Sequence, residues 1–241
     1  MTGIGKAVTA PKLYQINVGW RLRQARLAAG IAQAELAEEL GLNEAIIRSY
    51  ERGIGRVPPR QLLALAGLLG LSLENLFTRW SSEQRPLNVL TLQRLGGFRR
   101  LARFWFANRG RWHGEIGGVL ERCRLQRTLL LRKRPRIDRL MFEQLGDGMR
   151  TRRPEDRYFL EMLGRDISDL PDREYGAWMA DIYDRTLARR RPRLDYTEAM
   201  VSPSSSLVYH IRHDRLILPW YSGNDLFVMG VSMPKELAIA S

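Results

Sequence analysis

Three histidines (His113, His210 and His213) and one cysteine (Cys123) are the side chains of this 241-residue chain best suited to covalent, acid–base or metal chemistry. Their spacing assembles no such site. His113 has no second ligand nearby. His210 and His213 lie in a strand-like run, at a spacing that suits a strand edge better than a shared metal or a haem. A single cysteine rules out an intramolecular disulfide and a cysteine-based structural zinc site, and Cys123 falls on an apolar face that suits core. No paired acidic motif is assignable to catalysis, so neither an enzyme, a metal nor a cofactor is expected. A different chemistry lies in the stretch Gly30 to Gly53, GIAQAELAEELGLNEAIIRSYERG. There Gln33, Asn43, Glu44, Arg48, Ser49 and Arg52 offer amide, carboxylate, guanidinium and hydroxyl groups, which recognise by hydrogen bonding and do not react.

The elements that position those groups are two short helices and a tight turn. Gln33 to Leu40 place Leu36, Ala37 and Leu40 on one face. Gly41 ends that helix, because glycine tolerates the positive φ of a sharp helix end. Asn43 stands where an N-cap belongs, its side chain able to accept an otherwise unpaired backbone N–H. Glu44 to Arg52 form the second helix, with Ile47 and Tyr50 inward and Gly53 as the stop. This is a helix-turn-helix, a motif whose second helix enters the DNA major groove.

The flanks supply the rest of a small domain. Val18, Leu22, Ala25 and Ala29 predict a helix over residues 17–29. After the loop IGRVPP, Leu62, Leu65, Ala66 and Leu69 predict a fourth helix starting near Arg60, and Ser72 caps a short fifth with Leu73, Leu76 and Phe77. Residues 1–12 read as a flexible arm; Gly3-Ile4-Gly5-Lys6 lacks the rest of a phosphate loop. Five short helices with LRxxR (Leu22 to Arg26), QxELA (Gln33 to Ala37), LG (Leu40, Gly41), YERG (Tyr50 to Gly53) and LGLSLENLF (Leu69 to Phe77) resemble the Cro/repressor-type, or XRE, helix-turn-helix family over residues 13–79.

That resemblance implies roles residue by residue. Gln33 bonds a DNA phosphate. Glu44, Ala45, Arg48 and Ser49 face base edges, with Glu44 suited to cytosine, Arg48 to guanine or a phosphate, and Ala45 to a thymine methyl. Asn43 and Arg52 bound this face, and Arg56 and Arg60 flank the DNA backbone. Arg26 and Glu51 match a pair that bridges the first and third helices. Two departures stand out: Ala32 replaces a polar phosphate contact, and the loop after Gly53 is about one residue longer than usual.

The formal net charge of +13 favours a polyanionic partner. The excess lies in residues 81–150, and the final third is nearly neutral. Residues 80–139 read as a basic helical connector. Phe98, Leu101, Ala102 and Trp105 recur at helical spacing, as do Ile116, Val119, Leu120, Cys123, Leu130 and Leu131. Its arginines either contact phosphate or form a solvated face. No apolar run reaches membrane-spanning length and the first dozen residues lack a signal-peptide core, so a cytoplasmic protein without membrane contact is expected.

Residues 140–236 change character. Leu140 to Leu145 is an apolar run closed by Gly146-Asp147-Gly148. A helix follows at residues 173–190, with Tyr175, Trp178, Met179, Ile182, Tyr183 and Leu187 in one stripe. Three strand-like runs come next, Leu194 to Val201, Leu207 to Trp220 and Asp225 to Met233, the last two joined by Ser222-Gly223-Asn224. The order of strand, turn, helix and meander, with FEQLGDGM, LGRDISDL and RLILPWYSGNDLFVMGVSMP, resembles a PAS sensor domain. That implies a pocket for a small-molecule ligand, lined by Phe142, Phe159, Met162, Tyr183, Leu218 and Met229; the same six serve equally as plain core. The expected whole is multidomain: an all-α five-helix N-terminal domain, a helical connector and an α+β domain with an antiparallel sheet. The implied function is a sequence-specific transcriptional regulator binding double-stranded DNA as a homodimer. The alternative is an antitoxin-like or phage-type repressor whose C-terminal domain only binds a protein.

Overall fold

The computed structural model describes residues 10–88, 91, 93, 96–112, 118, 121, 127–134, 138–149, 159–204 and 207–239. His113, Cys123 and the expected helical residues Ile116, Val119 and Leu120 fall outside them. The chain divides into two compact units, one built from the residues up to Ser81 with Ala199–His210, the other from Ser82–Glu198 with Ile211–Leu237.

The first unit holds five helices: α1 (Ala10–Ala28), α2 (Gln33–Glu39), α3 (Glu44–Glu51), α4 (Pro59–Leu68) and α5 (Leu73–Phe77). Helix α1 begins seven residues earlier than the apolar spacing suggests, so residues 10–12 belong to it and not to an arm. Pro11 is compatible with that start because the first helical N–H groups have no intrahelical acceptor. The expected inward residues Val18, Leu22, Leu36, Ala37, Ile47, Tyr50, Leu65, Ala66 and Leu76 form one buried cluster. Leu73 and Phe77, expected beside Leu76, are exposed. Buried Asn17 donates its amide to Leu76 O at 3.0 Å and Thr78 O at 3.2 Å, satisfying carbonyls at the end of α5.

A glycine inside α1 fixes how closely that helix meets α3. A Cβ built on Gly19 would lie 2.1 Å from Tyr50 O. Only hydrogen fits, so Gly19, unfavourable in a helix by itself, allows backbone-to-backbone approach.

In the second unit the expected helix at Phe98 to Trp105 is present as α6 (Gly97–Ala107), and the one at residues 173–190 as α7 (Arg173–Arg189). Asp172 caps α7, accepting the Tyr175 N–H at 3.2 Å. The strands are β1 (Trp80–Arg85), β2 (Thr128–Arg134), β3 (Arg139–Leu145), β4 (Arg193–Ser204), β5 (Leu207–Ser222) and β6 (Asp225–Ile239). They form one sheet in the order β1-β4-β5-β6-β2-β3. Strand β2 pairs antiparallel with both β3 and β6. The hairpin at Ser222-Gly223-Asn224 forms where expected, with Gly223 at φ +57°.

The helical connector is corrected: within residues 80–139, β1 and β2 are strands. Leu129, Leu130 and Leu131 are all buried because both faces of the sheet are covered. A strand of that kind shows a continuous apolar run, which periodicity cannot separate from buried helix. On one face Met229, Leu130, Leu216, Leu218 and Trp220 pack with Phe98, Leu101 and Trp105 of α6. On the other, Gly230 lies under the Tyr183 ring of α7, whose hydroxyl would be 2.4 Å from an added Cβ. Of the six expected pocket residues, five are buried and Phe159 is half-buried. Leu218 and Met229 face α6 and Tyr183 faces the opposite side, so the six do not line one pocket.

His210 lies against Trp20 within the first unit, ring centroids 3.5 Å apart and planes tilted by 41°. His213 is buried in the second, where desolvation, helped by Arg215 and Arg127, pushes its pKa down to about 3. Among the described residues no three His, Cys, Asp or Glu side chains come together as a metal site. No described helix is long and apolar enough to cross a membrane.

Two predictions follow from this packing. Gly19→Ala should destabilise the protein by about 1–3 kcal/mol in urea unfolding followed by circular dichroism, since backbone must move to admit the methyl. The second concerns pH. The folded pKa of His213 lies below its ordinary 6.5, so the unfolded chain binds the extra proton between pH ~6.5 and ~3, and stability falls on acidification by up to ~1.4 kcal/mol per unit. In His213→Gln that part of the slope should be missing; equal wild-type and variant slopes would refute the assignment.

Candidate nucleic-acid interface

Helix α3 is held by its two ends and its inner face. Asn43 Oδ1 accepts the Ala45 N–H at 2.8 Å, as expected of an N-cap. At the other end Gly53, at φ +64°, turns the chain, and the Ile54 N–H returns to Ser49 O at 3.1 Å. Ile47, Tyr50 and Glu51 are buried. The Tyr50 hydroxyl donates to Gln61 of α4, and burial raises its pKa.

The innermost contact is ionic. Arg26 Nε and Nη2 meet Glu51 Oε1 and Oε2 at 2.6 and 3.0 Å, while Arg26 Nη1 donates to Ile31 O at 2.8 Å. Both residues are buried, at 7% exposure. The hydrogen bond and charge of Glu51 raise the Arg26 pKa despite desolvation. Gln33 completes the arrangement, its Nε2 donating to Glu51 Oε2 at 2.7 Å. One carboxylate thereby ties α1, α2 and α3 together. Ala32, before α2, has no side-chain acceptor, and only Glu35 reaches back, to the Ala32 N–H at 3.3 Å.

The outer face carries Ala45, Ile46, Arg48 and Arg52 exposed, with Glu44 and Ser49 half-buried. Arg48 Nη2 bonds Glu44 Oε1 one turn earlier. That pair is solvent-exposed, at 48% and 42% for the two side chains, and such pairs contribute only about 0.3–0.5 kcal/mol. Ser49 is turned toward the following loop, where a Cβ on Gly55 would lie 2.7 Å from its Oγ. A polar cleft of about 490 Å³ runs beside this face, lined by Arg23, Arg26, Gln33, Glu44, Arg48, Glu51 and Arg52 among others. A second cleft, of about 590 Å³, is lined by Arg56 together with Tyr14, Val18, Leu62 and Phe77. Asn43, Ala45, Ser49 and Arg60 line neither, and Arg60 is exposed at the start of α4.

Residues 22–76 match the helix-turn-helix family. This segment is a helix-turn-helix domain. Over 75 residues, the chain is 29% identical to the cryptic phage CTXphi transcriptional repressor RstR of Vibrio cholerae serotype O1, covering 31% of this chain and 67% of that one. No solved structure matches.

Two residues of the helix-turn-helix domain escaped the sequence reading. Arg23 reaches the cleft from α1, where helical periodicity marks it only as a surface cation. Ile46, 37% exposed, puts an apolar side chain on the outer face of α3. Its signal was present: with Ile47 and Tyr50 inward at i and i+3, Ile46 falls out of phase with the core.

Because removing one partner of a buried pair strands the other charge, Glu51→Ala should lower stability by about 3–5 kcal/mol. Arg48→Ala, which opens an exposed pair, should change it by less than about 0.5 kcal/mol. Urea unfolding of both variants beside the wild type checks the contrast.

Proposed function

We propose that the protein is a sequence-specific transcriptional regulator that binds double-stranded DNA through α3 as a homodimer. The observation that carries this reading is the exposed outer face of α3 on a helix fixed by the Arg26–Glu51 pair. Ala45 and Ile46 suit thymine methyl groups, and Glu44 suits cytosine N4. Arg48 is available to guanine O6/N7 because its bond to Glu44 costs so little to open. Gln33 spends one amide N–H on Glu51, and the second is free for a phosphate. Arg52, Arg56 and Arg60, joined by Arg23, add the cationic contacts expected of a DNA-backbone binder, and Asn43 serves by capping α3. The relative named as a transcriptional repressor supports the same reading.

For a symmetric dimer the site is a near-palindrome with half-sites about one helical turn, ~34 Å, apart. The C-terminal part reads as a PAS-like module that senses a small molecule or meets a partner protein. What supports this is the observed order of β3, turn, α7 and the β4–β6 meander. The domain division proposed is a helix-turn-helix domain at residues 13–79 followed by a PAS-like module whose sheet takes in β1 and β2 ahead of residues 140–236.

Selection of bound sequences from random DNA with the full-length protein tests the reading. The expected product is a two-fold symmetric consensus; recovery of unenriched DNA at moderate salt would sink it. Arg48→Ala should then lose about 1–3 kcal/mol of discrimination at one base pair. A loss equal on every sequence, with a shallower salt dependence, would move Arg48 to a phosphate.

A further inference from the structure

Arg215, on β5, has a fully buried guanidinium whose own neighbours do not satisfy it. It is 1% exposed. Its Nη1 points at the thioether sulfur of Met179, a weak acceptor. Its Nη2 lies 3.6 Å from Asp195 Oδ2, too far for a hydrogen bond, and neither Nη2 nor Nε has a hydrogen-bond partner. The carboxylates nearby are already taken. Asp195 accepts from Arg193 Nε and Ser82 Oγ, each at 2.6 Å. Asp214, on the opposite face of β5, pairs with Arg85 at 3.0 Å, and Asp172 caps α7. Trp178 and Tyr183 of α7 flank the guanidinium, ring centroids 5.7 and 5.6 Å from Cζ. Two buried hydroxyls lie in the same layer: Thr197 Oγ1, which shares a sheet face with Asp195 and has no partner, and Tyr183 Oη, which turns toward the Arg215 guanidinium without a geometrically formed hydrogen bond.

A buried cation with open N–H groups costs several kcal/mol unless an anion meets it. We propose that Arg215 anchors a binding site for a small monocarboxylate between β4–β5 and α7, with the Tyr183 and Thr197 hydroxyls as further donors. The planar fork of an arginine matches a carboxylate's two oxygens. One negative charge balances the excess left where Arg193 and Arg215 share the single carboxylate of Asp195, whereas a phosphate dianion would bring an excess charge into an apolar layer. The neighbours register the positive potential. Burial raises Tyr175 to about 12 and raises Tyr183, while Arg215 opposes both. This site deepens the small-molecule reading above and gives it a ligand class.

Thermal unfolding of the full-length protein with sodium benzoate, sodium acetate, neutral benzamide, and sodium chloride at matched ionic strength tests the site. A saturable rise in Tm is expected with at least one carboxylate and with neither control. Arg215→Met should abolish the rise while remaining as stable as the wild type without probe, since the apolar side chain removes an unsatisfied charge. Thr197→Val, which leaves the charge unchanged, should shift half-saturation to about tenfold higher concentration. A wild type without a carboxylate-specific rise, or a folded Arg215→Met that keeps it, overturns the proposal. Should Arg215→Met not fold, an unchanged half-saturation in Thr197→Val overturns it. DNA binding measured in parallel separates the two readings: a carboxylate-specific rise in a protein that selects no DNA sequence upholds the site and removes the regulator.

Discussion

A guanidinium and a carboxylate can leave water together only if nearly all their hydrogen-bonding capacity is met, and Arg26 and Glu51 satisfy that demand. Glu51 accepts from Arg26 twice and from Gln33 once, and Arg26 spends its remaining contact on Ile31 O. The pair is weak as a source of stability, because burying it costs much of what the attraction returns. Its effect is geometric. It joins the longer α1 to α2 and α3, which are too short to be stable alone, in a frame in which α3 has one orientation. The outer side chains of that helix keep their spacing because its inner side cannot turn.

The strength of the inner pair contrasts with the weakness of the outer one. Arg48 and Glu44 are joined one turn apart in solvent, where screening and side-chain entropy leave little net energy. The frame is therefore fixed by a contact that is hard to break, and the outer side chains Arg48 and Glu44 rest in a contact that is easy to exchange. On the proposed function, a nucleic-acid partner would take Arg48 from Glu44 without disturbing Arg26.

The second unit solves a different problem. Its sheet is covered on both faces, by α6 through Trp105 and Phe98 and by α7 through Tyr183 and Met179. The α6 side is almost wholly apolar. The α7 side carries Arg215, Asp195, Thr197 and His213 among aromatic rings. Polar groups at this depth are expensive unless paired, and the asymmetry between the two faces is what the proposed carboxylate site on the α7 side rests on.

The sequence by itself determined the elements whose signals are local. Apolar spacing, the Asn43 cap and the Gly41 and Gly53 stops depend on neighbours within one or two turns, so α2 and α3 were legible to within a residue. The three-strand meander and α7 were legible for the same reason. Tertiary structure alone decided what depends on partners distant in sequence. Leu130 and Leu131 read as helix because a doubly covered strand has no period-two signature, and only the covering of both faces makes it a strand. Gly19 read as an unfavourable helix residue until the Tyr50 carbonyl was placed beside it. Arg215 read as one arginine among many, because its lack of an acceptor is a property of what α7 and β4 set around it.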